Sequence, residues 1–114
     1  MKVQINYNNK TLSPNILVAD DFSSRLIGLM FKKELKGADG LLIDPCNSIH
    51  TFFMRYSLDI VFIGKGNKIV KIIRDLKPWR MTWIYFYSHK VLELPAGKLP
   101  LDLKEGDILE VKDV

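Results

Sequence analysis

Two carboxylates, a guanidinium, an imidazole and a thiol are set among large apolar residues in this chain, and through them it could do chemistry. Arg25 lies in Ser24-Arg25-Leu26-Ile27-Gly28-Leu29-Met30, and Asp59 in Leu58-Asp59-Ile60-Val61-Phe62. Glu93 lies in Val91-Leu92-Glu93-Leu94-Pro95-Ala96-Gly97, while Cys46, His50, Thr51 and Phe53 share the run from Cys46 to Met54. Carboxylates accept from hydroxyls and a planar guanidinium donates in a fork, so Arg25, Asp59 and Glu93 around one cleft would suit a polyhydroxylated ligand. The same two carboxylates could hydrolyse a glycosidic bond, one as acid and the other as base or nucleophile. Against both stands a structural role, in which Arg25 neutralises a carboxylate half-buried by strand alternation and fixes a helix on a sheet.

Cys46 and His50 are the residue types of a nucleophile pair, but such a pair needs contact and an orienting third group. A spacing of four along an extended chain supplies neither, and a lone thiol usually packs as a small hydrophobe. Zinc would want three or four ligands with short-range pairs. The other histidine, His89, stands in an exposed-looking Ser-His-Lys segment, so neither a metal nor a cofactor is expected. The stretch Trp79-Arg80-Met81-Thr82-Trp83-Ile84-Tyr85-Phe86-Tyr87 holds both tryptophans. With Lys77, Arg80 and Lys90 it could stack sugars or single-stranded bases. Alternation divides Trp83, Tyr85 and Tyr87 from Ile84 and Phe86, so one side is expected in the core and the other displayed as an interface.

The elements that must position these groups are mostly strands. Val3, Ile5 and Tyr7 alternate with polar residues, Asn8-Asn9-Lys10 reads as a turn, and Ile16-Leu17-Val18 as the returning strand. Phe22, Leu26, Leu29 and Met30 fall on one stripe of a helix, which places Arg25 beside that stripe. Leu41-Leu42-Ile43, Leu58–Ile63, Lys68–Leu76, Lys90–Leu94 and Ile108–Lys112 read as strands, and Ile49–Met54 as extended. Gly64-Lys65-Gly66-Asn67 is a hairpin turn. Strands at this spacing, with one helix and no βαβ alternation, predict a mainly β fold. The expected form is a compact antiparallel sandwich or barrel of about seven or eight short strands, with a short helix near residues 22–31.

The 114 residues fit one domain, and a hydrophobic content of 47% supplies a core without staples. One cysteine allows no internal disulfide. No run approaches the roughly 18 apolar residues of a membrane span, and no signal-peptide apolar region precedes the first strand. A soluble, cytoplasmic protein is therefore expected. The net charge of +4 comes from scattered cations, which argues for a solvated surface rather than a nucleic-acid footprint.

Together the segments around Arg25, His50 to Met54, Asp59 and Glu93 resemble one prokaryotic family, domain of unknown function 192, in four ordered motifs that cover nearly the whole chain. The resemblance implies a compact β-sandwich or barrel with a short helix or two. It implies no activity, and many members carry a secretion signal or lipid-anchor leader, from which this chain departs. The reading adopted is a non-enzymatic binding or accessory module with no assigned catalytic residue. Arg25, His50, Thr51, Phe53, Asp59 and Glu93 line its cleft, and its ligand is a carbohydrate or other polyhydroxylated small molecule. Its alternatives are a glycosidase-like hydrolase using Asp59 and Glu93, and a single-stranded nucleic-acid or protein interaction module using residues 79–87. The partner is an unknown small molecule or protein, with weak self-association through the aromatic stretch.

Overall fold

The computed structural model of the protein describes residues 2–19, 38–51, 54 and 56–113. Among these residues seven strands build one sheet: β1 (Lys2–Tyr7), β2 (Lys10–Ala19), β3 (Gly40–Ile43), β4 (Leu58–Gly64), β5 (Ile69–Leu76), β6 (Ser88–Pro95) and β7 (Leu109–Asp113). Their spatial order is β5-β4-β6-β3-β2-β1-β7. The mainly β class is the one the alternating pattern predicts, and the strands start and stop close to the turn residues. One pair departs from the antiparallel expectation, since β2 runs parallel to β3 with Ile16 opposite Gly40 and Ala19 opposite Ile43. A parallel pair needs a long crossover, and the connection from Ala19 to Gly40 is long enough. Residues 20–37 of that connection, with the helix expected near 22–31 and Arg25, lie outside the described residues.

The sheet curls into a half-barrel. Edge strand β5 meets the segment that leads into β7, through a bridge between Lys68 and Ile108. The Ile69 N–H donates to the Asp107 carbonyl at 2.8 Å, and the Gly106 N–H to the Ile69 carbonyl at 2.9 Å. The Arg74 guanidinium laces the same edge to the loop after β6, donating to the carbonyls of Leu99 at 3.1 Å and Pro100 at 2.7 Å. This curling encloses a core that draws Ile5, Ile16, Leu42, Val61, Leu92, Leu94, Leu103 and Leu109 from strands and closing loop alike.

The outer face is covered too. Ile49 and Met54 pack there on Leu58, Ile60, Phe62 and Val91, with Leu41 and Ile43 in a neighbouring cluster. Strands β3 and β4 are therefore buried at every residue, which is why they read as continuous apolar runs rather than alternating ones. A polar side chain on these central strands must find its partners inside the protein.

Candidate functional site

Asp59 is one such side chain, 2% exposed in the middle of the sheet. Opposite it, β5 carries a bulge: Leu58 faces Leu76 and Ile60 faces Ile73, so Arg74 and Asp75 together oppose Asp59. The extra residue, Asp75, sits at φ 56 and donates its N–H to Asp59 Oδ1 at 2.9 Å. The other oxygen, Oδ2, accepts from the N–H groups of Gly97 at 3.0 Å and Leu99 at 3.2 Å. The Pro95-Ala96-Gly97 break after β6 thus leaves backbone donors that the Asp59 carboxylate satisfies.

Glu93 points the other way. It stands directly opposite Ile60 on β4 and Leu41 on β3, while Asp59 stands opposite Leu94. Directly opposed residues share a face and successive residues alternate. Glu93, 5% exposed, therefore lies on the outer face with Ile60 and Val91, and Asp59 on the interior face with Leu94. The structure does not bring the two carboxylates together, and with the sheet between them they cannot flank one glycosidic bond. The paired-carboxylate hydrolase and a cleft that uses both groups are corrected by this register.

Thr51 and His50 belong to the segment that covers the outer face, on the same side as Glu93. Thr51 is fully buried and binds the backbone of the aromatic stretch from both of its ends. Its hydroxyl donates to the Lys77 carbonyl at 2.6 Å and accepts from the Arg80 N–H at 2.9 Å. Its own N–H donates to the Arg80 carbonyl at 2.8 Å, and its carbonyl accepts from the Trp79 N–H at 2.9 Å. His50 pairs with Met81 as an isolated bridge, Thr82 N–H reaches the Ile49 carbonyl, and Tyr85 N–H the Asn47 carbonyl. Gly64 lets the stretch end close to β4, because a Cβ there would stand 2.7 Å from the Tyr87 carbonyl.

The stretch is a loop rather than a strand, and its side chains do not divide as alternation predicts. Of its rings and large apolar side chains only Tyr85 turns inward, against Phe62 at 4.5 Å between ring centroids. Trp79, Met81, Trp83, Ile84, Phe86 and Tyr87 are all exposed, Trp83 at 83% and Phe86 at 80%. The pairings of a strand are replaced by bonds to residues 47–51, and these hold the backbone without burying the side chains. Trp79 itself sits at φ 64, a conformation that costs a bulky residue about 1–2 kcal/mol.

Of the remaining expected site residues, Arg25 and Phe53 lie outside the described residues. Cys46 is half-buried between the two outer clusters, and its thiol donates to the Ser48 carbonyl at 3.1 Å. Among the described residues no three His, Cys, Asp or Glu side chains cluster. No helix among them is long and apolar enough to cross a membrane.

Residues 3–111 match the family described as Uncharacterized ACR, COG1430, the domain of unknown function 192. The chain belongs to this family. A UPF0127 protein of Pyrococcus horikoshii is 33% identical, over 78% of this chain and 79% of that protein. Another UPF0127 protein, of Pyrococcus furiosus, is 31% identical over 89% of this chain and 90% of its own length. The family fold is seen in a protein of unknown function from Novosphingobium aromaticivorans, with a TM-score of 0.77 and 23% identity over 96% of this chain and 84% of that one. A second structure, described as a putative transcription regulator from Sinorhizobium meliloti, gives a TM-score of 0.75 and 27% identity over 96% and 92%. The family carries no established activity. The motif residues Thr51 and Asp59 have clear structural work in it: both satisfy backbone groups of irregular segments. Sequence reasoning missed those roles: the Pro-Ala-Gly break signals backbone donors in need of an acceptor, but the carboxylate beside it in sequence is Glu93, which faces the other way.

Proposed function

We propose that this chain is a non-catalytic interaction module whose binding surface is the aromatic loop 77–87, with Thr51 and Asp59 supporting the backbone that presents it. The observation that carries the reading is the combination at the loop itself. Six large apolar side chains are exposed on a backbone bonded at Trp79, Arg80, Thr82 and Tyr85. An exposed apolar patch held in a fixed shape is what a docking surface requires. Catalysis has less to draw on, because Asp59 faces away from Glu93 and is occupied by three backbone donors.

A second reading keeps the polar groups as ligand contacts. Glu93 and His50 lie on the side of the sheet that carries the loop, so a polyhydroxylated ligand stacked on Trp79 or Trp83 would approach them. A proton–nitrogen NMR titration of the full chain with oligosaccharides, single-stranded oligonucleotides and detergent micelles separates the two. Shifts confined to residues 77–87 support the loop, and shifts that also gather at His50 and Glu93 with sugars support the second reading. Silence from all three ligand classes removes both.

A further inference from the structure

Both tryptophans of the chain, Trp79 and Trp83, stand in the exposed loop. From Met81 to Tyr87 the loop has no charged residue, and from Lys77 to Lys90 it has Lys77, Arg80 and Lys90 with no Asp or Glu. The nearest acid in sequence, Asp75, is bonded to Lys77 at 2.7 Å. An uncharged tip of rings and long aliphatic side chains thus stands beside the exposed Arg80, while Lys77 is paired with Asp75 and Lys90 turns to the interior face and donates to Asn67 at 3.1 Å. We propose that this loop docks the protein on an anionic lipid surface, a partner that deepens the interaction-module reading and rests on it. Indole and phenol rings settle at the headgroup level, because one end of each is apolar and the other bonds to water or phosphate. Met81, Ile84 and Phe86 enter the acyl boundary, and the Arg80 guanidinium meets lipid phosphates, the two terms that set interfacial affinity.

Charge separates this partner from its rivals. A single-stranded nucleic acid tracked along the loop would need cations beside successive phosphates, and Met81–Tyr87 offers none. A second copy docking loop to loop would bring like charges together, because Arg80 would face its own counterpart. A planar anionic surface matches both the apolar tip and the arginine beside it.

The two tryptophans make the test direct, since both report on this loop alone. The full chain is mixed with vesicles of phosphatidylcholine, or of phosphatidylcholine with about one-third phosphatidylglycerol, while emission and co-sedimentation are followed. The expected result is a shift of emission to shorter wavelength and co-sedimentation with the anionic vesicles, weakened by added salt. Arg80→Gln is expected to weaken binding about fivefold, the factor of one cation at an anionic surface. Met81→Ser with Phe86→Ser is expected to abolish it while the urea unfolding transition stays put, because both side chains are exposed. Unchanged emission with both vesicle types overturns the inference. A response only to a single-stranded oligonucleotide, or a concentration-dependent shift to shorter wavelength without vesicles, overturns it in favour of nucleic acid or self-association and leaves the interaction module standing. Silence toward vesicles, oligonucleotides, oligosaccharides and concentration overturns both.

Discussion

Replacing Asp59 by asparagine exchanges one carboxylate oxygen for an NH2 group and tests whether this carboxylate serves the backbone or a ligand. Oδ2 accepts from Gly97 and Leu99 and Oδ1 from Asp75, so the asparagine retains most by placing its carbonyl at Oδ2. Its amide then faces the Asp75 N–H donor to donor. Leaving that donor unsatisfied costs about 1–3 kcal/mol, and the two retained bonds each weaken by about 1 kcal/mol as the acceptor loses its charge. The expected loss is about 3–5 kcal/mol, with relaxation placing it toward the lower figure. Urea denaturation reads this as a fall in midpoint of about 1.5 M at an unchanged slope of about 2 kcal/mol per molar. A variant within about 0.5 kcal/mol of the parent would refute the structural role. A more stable variant would do so with more force, because residues retained for binding or catalysis commonly cost stability.

Thr51→Val keeps the shape and removes the hydroxyl that bonds Lys77 and Arg80, and is expected to cost about 2 kcal/mol. It should also speed amide exchange at Trp79 and Arg80, while Thr51→Ser restores protection; equal exchange in all three would rule out the loop-holding role. Gly40→Ala is expected to destabilise by about 2–3 kcal/mol in chemical unfolding, because its Cβ would lie 2.6 Å from the Glu93 carbonyl in a central ladder. Asp102 accepts from Lys10 and Tyr7 at 2.7 Å each, and these bonds, Lys10's first, hold its carboxyl below the ordinary range. The same bonds to Asp102 hold Tyr7 and Lys10 above theirs. A lowered acid stabilises above its unfolded value, and a raised tyrosine or lysine below its own. The contribution of this trio should therefore be present at neutral pH. It should fade as pH falls below 3.8 through the lowered pKa of Asp102, and again as pH rises beyond 10.0 through the raised values of Tyr7 and Lys10. Comparing parent and Asp102→Asn across pH checks this, and a gap that stayed constant into acid would count against it.

The strands were legible because each apolar run is bounded by residues with turn chemistry. Gly66 at φ 69 and Asn67 at φ 60 close the β4–β5 connection where the Gly-Lys-Gly-Asn signal stands. The relation between Asp59 and Glu93 was not legible. Alternation assigns each carboxylate a face of its own strand, but which faces coincide depends on register, and one residue of slip would have put both on one side. Register here is fixed by long-range pairing of Leu94 with Asp59, which no local pattern encodes. The aromatic stretch misled for a related reason. Its alternation has the period of a strand, yet its hydrogen bonds go to residues 47–51, about thirty positions earlier in the chain, and these fix its backbone without a core behind every second side chain.

The two polar residues buried most deeply in the motifs share one task, and that task bears on function. Asp59 accepts from Asp75 at φ 56, and the carbonyl of Thr51 accepts from Trp79 at φ 64. Each buried group supports a non-glycine residue in the left-handed region, at the entrance to the exposed loop and within it. A loop that served only to join β5 to β6 could relieve this strain with glycine at either position. Trp79 instead keeps an indole there that is 56% exposed. Strain that the fold supports points to the side chain as the part in use, and at Trp79 more than half of that side chain is open to solvent beside Arg80.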